Sequence, residues 1–380
     1  MTLRGWVFPG RSPLTKGNAL NAQAVLFAPD SPPSAPPQTE CNTKLWLPNE
    51  VYFTKSALEH AHGTRILERL RALELPVTEL ATDRLPVIRG SSDAETYRRA
   101  KRTLAVVVAP PSQFQLQPIP PSADYQFHLA QGCPAHCQYC YLAGSLSGPP
   151  ITRVYANLPD ILENLERYAR AGQTTTFEAS CYTDPLALEH LTGSLSQTVR
   201  FFGRQADMGL RWVSKFDAVE PLLHLEHHGH TRARISLNAQ PISQRFEGGT
   251  ASLEARLNAL DKLARHGYPV GAVIAPIMPI AGWREHYTRL LERIAATLEP
   301  GADLTFELIT HRFTDKSKGV LETWYPNSAL DMSPDQRTTK RNAFGGLKTV
   351  YDKTTMLELK SFFTQEIAAR FPNATVLYWT

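Results

Sequence analysis

Three of the chain's cysteines fall within the eleven residues GCPAHCQYCYL, Gly132 to Leu142, at the spacing C-x3-C-x2-C. Three thiolates from one tight loop can each take a different iron of a cubane, which leaves the fourth iron open to a second molecule. Zinc is the competing occupant, with His136 as the available fourth ligand. Adjacent His136 and Cys137 do not easily reach one tetrahedral ion together, and no second cysteine pair follows, so the spacing points to iron and sulfur at Cys133, Cys137 and Cys140. Of the remaining cysteines, Cys181 stands in FEASCYTDP at the end of a strand-like run. Alone, it reads more readily as a small core side chain than as a working thiol. Cys41 has no nearby ligand partner and receives no role.

These residues need a scaffold, and 380 residues with 42% hydrophobic and 20% charged content suffice for a large globular core. No stretch approaches the ~18 consecutive apolar residues that cross a bilayer, and MTLRGWVFPGR lacks a signal-length apolar run. A cytoplasmic protein without a membrane partner is expected. A net charge of +4 is too small to announce a nucleic-acid binder, although it allows a local basic face. Five cysteines without an export signal favour metal or thiol chemistry over a disulfide framework.

Residues 1–43 include PDSPPSAPPQ, whose prolines lack amide donors, and read as a flexible leader. Residues 44–120 read as a small α/β region, with apolar Val51 to Phe53, a helix from Ala57 to Leu73, and a strand from Leu104 to Val108. Beyond it, strand-like runs at Tyr125–Leu129, Thr174–Ala179, Arg211–Ser214, Arg232–Leu237, Val270–Ile277 and Leu304–Ile309 alternate with helical ones. Leu253, Leu257, Leu260 and Ala264 share a helical face closed by Gly267, and Asn157 with Pro159 reads as a helix start. Six strand-helix repeats imply a parallel sheet, either doubly wound or a barrel short of eight strands.

The cysteine loop, with Tyr139 before its last cysteine, resembles the radical S-adenosylmethionine superfamily. Further segments are similar to the spore photoproduct lyase family: RVYANL (153–158), FEASCYTDPLALEHLTGSL (177–195), TRARISLN (231–238), GYPVGAVIAPI (267–277), FELITHRFT (306–314) and the closing ARFPNATVLYWT. The resemblance spans Lys44 to Thr380. It implies a partial (β/α)6 barrel of the radical SAM type over 121–315, with the small N-terminal α/β extension before it and a C-terminal hairpin, helix and strand over 316–380. It also implies a 4Fe-4S cluster and S-adenosyl-L-methionine as cofactors.

The implied reaction reverses spore photoproduct in UV-damaged DNA to two thymines. A 5′-deoxyadenosyl radical takes a hydrogen from the lesion and Cys181 returns one, with Tyr139 and Tyr141 as a relay. Tyr139, Thr183, Lys215, Ser236, Asn238 and Ala275 are the implied cofactor contacts. Lys215, ending WVSKF, and the hydroxyls suit a cofactor's carboxylate and amine. Arg312 and His311 are the implied DNA contacts, for a thymine lesion that has left the base stack. The implied partners are DNA and an electron donor such as flavodoxin or ferredoxin, and the chain is expected to be a monomer.

At the C-terminal hairpin the chain departs from the family pattern. Ala343 stands where the family has an arginine, and Phe344 where it has a tyrosine, leaving Lys340 and Arg341 to supply charge and Phe344 to wedge between bases. Two other readings therefore stand beside the first: a related enzyme acting on another lesion or substrate, and a non-catalytic metal-binding protein of nucleic acid.

Overall fold

The computed structural model describes residues 45–146, 148–341 and 346–380. Cys41, the leader expected over 1–43, and Ala343 and Phe344 lie outside the described residues.

The chain enters on strand β1 (Glu50–Phe53), whose Val51 and Phe53 point into the core by the period of two. Helix α1 (Ala61–Ala72) buries Ile66, Leu67 and Leu70 on one face and leads to β2 (Val77–Glu79). The helix expected from Ala57 is interrupted: a short 3-10 turn, Ser56–Glu59, precedes α1, and extended His60 separates them. Helix α2 (Asp93–Ala100), capped by the Ser92 hydroxyl accepting from the Glu95 amide, leads to β3 (Thr103–Val107).

Strands β4 (Gln117–Ile119) and β5 (Ala123–Phe127) pair antiparallel and begin the main sheet. The first barrel strand thus ends two residues before its expected limit, because the Leu129 amide donates to the Ser180 hydroxyl (3.1 Å). Two short strands, β6 (Ala130–Gln131) and β7 (His136–Cys137), bracket the start of the cysteine loop, and β8 (Thr152–Tyr155) follows it. The first sheet has the order β2-β1-β3-β8-β6, so the two sheets interleave along the chain.

Helix α3 (Leu158–Leu165) starts at Asn157 with a proline in its first turn, as expected. Asn157 is nevertheless no side-chain cap; its Oδ1 accepts from the Ala109 amide (2.8 Å) and ties the helix start to the end of β3. Strand β9 (Thr175–Ala179) is followed by α4 (Glu189–Thr192), α5 (Ser194–Gly203) and β10 (Met208–Ser214), and only a 3-10 turn, Glu220–Leu222, separates β10 from β11 (Thr231–Leu237). Then come α6 (Gln240–Phe246), the two-residue β12 (Glu247–Gly248), α7 (Leu253–Arg265), β13 (Val270–Ile277), α8 (Trp283–Thr297) and β14 (Leu304–Thr310). Helix α9 (Asp315–Trp324), the hairpin β15 (Arg337–Arg341) and β16 (Leu347–Tyr351), helix α10 (Lys353–Arg370) and β17 (Thr375–Trp379) complete the chain.

The main sheet, ordered β17-β14-β13-β11-β10-β9-β5-β4, is parallel from β5 to β17 and curls into a partial barrel. All six expected barrel strands are present, and β17 adds a seventh parallel strand beside β14.

Charge fills much of the barrel's interior. Buried Arg234 places Nη1 2.9 and 2.8 Å from the two Glu307 oxygens and Nη2 against Glu178; Arg211 also pairs with Glu307, and Tyr378 donates to it at 2.7 Å. Gly271 makes room for this arginine, since a Cβ there would sit 2.8 Å from Arg234 Cγ.

Candidate active site

The cysteine loop is held at three points. Gly132, at φ +81, turns the chain into it so tightly that a Cβ would lie 2.3 Å from the Ile151 carbonyl. Buried Lys101 donates its ammonium to the Cys133 and Ala135 carbonyls. On the far side, β7 pairs with β12, Cys137 opposite Glu247 and His136 opposite Gly248, and the Gln138 amide donates to Phe246 (2.9 Å). Burial pushes the Cys133 thiol up to about 11 and the Cys137 thiol further above its ordinary range. The positive charge of iron is what favours thiolate in such a place. Among the described residues no group of three or more His, Cys, Asp or Glu side chains gathers around a single-ion site; a cubane asks instead that each thiolate reach its own iron.

Next to the loop, Lys215 leaves the end of β10 and places Nζ 2.7 Å from Ser236 Oγ, 3.1 Å from the Ala275 carbonyl and 3.0 Å from Glu247 Oε1. Tyr139 donates its hydroxyl to the same Glu247 oxygen, and its ring lies 5.5 Å beneath the ammonium. Arg256 Nη1 approaches the other Glu247 oxygen at 2.6 Å. Burial alone would raise the Glu247 carboxyl, but Lys215 and Arg256 outweigh it and hold the group near 2. Asn238 sits apart from this hub: its amide donates to the Pro276 carbonyl (2.8 Å), while its Oδ1 accepts from the Ala239 amide and the Tyr287 hydroxyl.

Cys181 and Thr183 occupy the turn after β9. Burial, with the nearby Glu178 carboxylate, raises the Cys181 thiol well above its ordinary value. Asp184 braces this turn to the end of β10, accepting from the Ser214 hydroxyl and the Lys215 amide, each at 2.8 Å. Thr183 Oγ1 is buried and has no partner among the described residues, a donor and acceptor left for a bound molecule. The residues present therefore fit an amino-acid-bearing cofactor beside a cluster: an ammonium, a carbonyl, two hydroxyls and three thiols on one side of the barrel mouth.

The DNA candidates gather at the end of β14. The Arg312 guanidinium lies over the Tyr141 ring at 5.7 Å and donates to Thr380 Oγ1 (3.1 Å). The hairpin docks beside it through paired bonds between Phe313 and Thr349. Lys340 faces Lys348 across the hairpin. Burial first, then Arg312 and Lys340, lowers the Lys348 ammonium. Arg341 ends β15 on the exposed face. His311 is buried inward; its Nδ1 meets Arg337 Nη2 at 3.1 Å, and burial with that arginine drops it to about 3. It is thus a neutral strut. No hydrogen bond or ring contact among the described residues joins Cys181 to Tyr139 or Tyr141.

A family model described as spore photoproduct lyase matches residues 46–380. The chain belongs to the spore photoproduct lyase family. It is 39% identical to a spore photoproduct lyase of Geobacillus sp. (strain Y412MC61) over 342 residues, covering 89% of this chain and all of the relative. It is 37% identical to that of Bacillus subtilis (strain 168) over 341 residues, covering 88% of this chain and 99% of the relative. A solved spore photoproduct lyase with bound AdoMet and dinucleoside spore photoproduct superposes with TM-score 0.84 at 38% identity, covering 89% of this chain and all of that one. The partial-barrel architecture expected from the resemblance is that of the family.

Sequence reasoning passed over Glu247, Arg256, Asp184 and Lys101, which organise the site of this spore photoproduct lyase homologue. Glu247 and Tyr139 are 108 residues apart in the chain, and nothing local marks their meeting. Lys348 carried a signal, a lysine two residues past a glycine pair, but acquires meaning only beside Arg312.

Proposed function

We propose that this chain is a radical S-adenosylmethionine lyase that restores two thymines from spore photoproduct in DNA. The observation that carries the reading is the shared Glu247, which ties the loop of Cys133, Cys137 and Cys140 to the Lys215 face. The ligands of the solved relative, AdoMet and dinucleoside spore photoproduct, support the same substrate and cofactor.

In this reading Cys133, Cys137 and Cys140 hold a 4Fe-4S cluster, and Lys215, Ser236, Thr183 and the Ala275 carbonyl hold S-adenosylmethionine. When bound, these cofactors would supply the radical chemistry that removes a hydrogen atom from the lesion. Scission of the methylene bridge leaves an allyl radical on one thymine. Cys181 then gives up its hydrogen atom: the S–H bond breaks, a C–H bond forms, and the unpaired electron stays on sulfur. Burial and Glu178 keep that thiol in the protonated form which has a hydrogen to give. Tyr141 then gives a hydrogen atom to the Cys181 sulfur, so its O–H bond breaks as S–H reforms, and Tyr139 in turn gives one to Tyr141, leaving the unpaired electron on Tyr139. The hydrogen bond to Glu247 orients the Tyr139 hydroxyl. Asn238 orients the Pro276 turn. Arg312, Lys340, Arg341 and Lys348 form the basic edge that meets phosphate, and Phe344 is the residue that wedges between bases. A small electron-transfer protein of the flavodoxin or ferredoxin kind reduces the cluster.

The test is an anaerobic incubation of cluster-loaded protein with a lesion-bearing oligonucleotide, S-adenosylmethionine and dithionite. Restored thymine is expected. Formation of 5′-deoxyadenosine without restored thymine would overturn the substrate assignment, and zinc without iron or sulfide in the purified protein would overturn the enzyme reading altogether.

A further inference from the structure

A cavity of about 400 Å³ opens beside the mouth of the barrel, walled by residues that the proposed reaction does not use. Tyr182, the neighbour of Cys181, forms one wall, and Ser145, at the end of the turn begun by Tyr141, forms another. Its size falls within the roughly 300–1,000 Å³ of small-molecule sites. Gln113, Gln115, Gln117, Gln126 and Gln131 supply amides, Arg153 supplies a cation, and among the described residues no carboxylate lines the wall.

Arg153 is half-buried on β8, where its charge is costly, and no ion pair or hydrogen bond satisfies it among the described residues. Gln131 lies directly across the ladder from it. His128 meets the Tyr182 ring edge-on at 4.9 Å, and its Nδ1 is buried without a partner among the described residues. A monoanion with several hydrogen-bonding edges and a flat face would satisfy all of these groups together. Guanidinium takes phosphate, glutamine amides take base edges, and a tyrosine ring takes a stacked base.

We propose that this cavity is a subsite for the nucleotide adjoining the lesion in the damaged strand, with Arg153 on its phosphate and Gln126, Gln131 and Tyr182 on its base. The inference rests on the lesion reading above and extends it: the enzyme reads one nucleotide beyond the damaged pair. Its position beside Cys181 places the flanking nucleotide where it fixes the register of the strand relative to the hydrogen donor.

The test compares binding of the cluster-loaded full chain to a single-stranded hexamer containing the lesion, the undamaged hexamer, and the dinucleoside lesion without flanks. Affinities are measured by anisotropy or competition across a salt series. Arg153→Gln is expected to weaken hexamer binding about tenfold and reduce the logarithmic salt slope by about 0.7, the contribution of one single-strand phosphate. The dinucleoside lesion should change by less than about twofold, and Arg153→Lys should restore the slope. Gln126→Glu, which puts a carboxylate into the cavity, should weaken the hexamer as well.

Unchanged hexamer affinity and slope in both Arg153→Gln and Gln126→Glu overturn the subsite. Equal weakening of the dinucleoside lesion also overturns it, by assigning the cavity to the lesion itself. A free mononucleotide that competes as well as the hexamer assigns the cavity to a soluble ligand and overturns it too. If the wild-type protein shows no preference for the damaged hexamer, the lesion reading fails, while the variants still read the subsite on the undamaged strand.

Discussion

A thiol returns a hydrogen atom only while it carries one, and the surroundings of Cys181 keep it protonated. If it is the donor, the ratio of restored thymine to side products should stay flat from pH 7 to about 9, whereas an exposed thiol would ionise across that interval. Cys181→Ala should leave 5′-deoxyadenosine formation in place and lower the yield of restored thymine about tenfold, read by chromatography of the digested oligonucleotide. Glu247 is the other residue on which much turns. Glu247→Ala removes the anchor of both Tyr139 and Lys215, so binding of S-adenosylmethionine should weaken about tenfold in equilibrium dialysis. Lys215 itself stays in the chain, and so a separate Lys215→Ala measurement shows how much of the effect passes through it.

Among the elements, the cysteine loop depends on its entry more than on its own residues. Gly132→Ala must adopt a left-handed conformation and would put its Cβ 2.3 Å from the Ile151 carbonyl oxygen. We expect iron per chain to fall well below wild type after anaerobic reconstitution, with little change in circular dichroism. On the substrate side, Lys348→Gln removes a charge packed against Arg312 and Lys340, and should lower DNA affinity and reduce the salt slope by about 0.7. The regular strands were legible because their apolar runs are long: β13 matches Val270–Ile277 residue for residue, and β9 is displaced by only one position at its start. Short elements were not. Strand β12 is two residues, Glu247 and Gly248, without apolar alternation, and exists because β7 is there to pair with it. Asn157 has the chemistry of a cap, yet its side chain serves a long-range bond to Ala109 instead. The three loop cysteines could be picked out because their spacing and residue type carry their chemistry, whereas Cys181 could be picked out only through the resemblance of the segment around it. Glu247, Arg256 and Asp184 work only through partners brought close by the barrel.

For the molecule as a whole, the charged interior of the barrel makes stability sensitive to acid. Burial raises the Glu307 carboxyl, but Arg234 and Arg211 outweigh it, and the folded-state value lies below the ordinary 4.5. Its stabilising contribution is therefore fully present above pH 4.5 and is lost as pH falls from there through the lowered value. Glu307→Gln should flatten that limb of a urea-midpoint profile against pH. Arg234→Met, which leaves the Glu178 and Glu307 carboxylates with Arg211 as their remaining cation, should cost about 3–5 kcal/mol at neutral pH in the same measurement. No described helix is long and apolar enough to cross a membrane. The meeting of Lys215, Arg256 and Glu247 has a wider consequence: the cation that would face a cofactor's carboxylate is already fixed in place by Glu247, Ser236 and the Ala275 carbonyl before any ligand arrives. Binding an amino acid-bearing cofactor should thus tighten the whole barrel, raising its melting temperature with each increment of ligand.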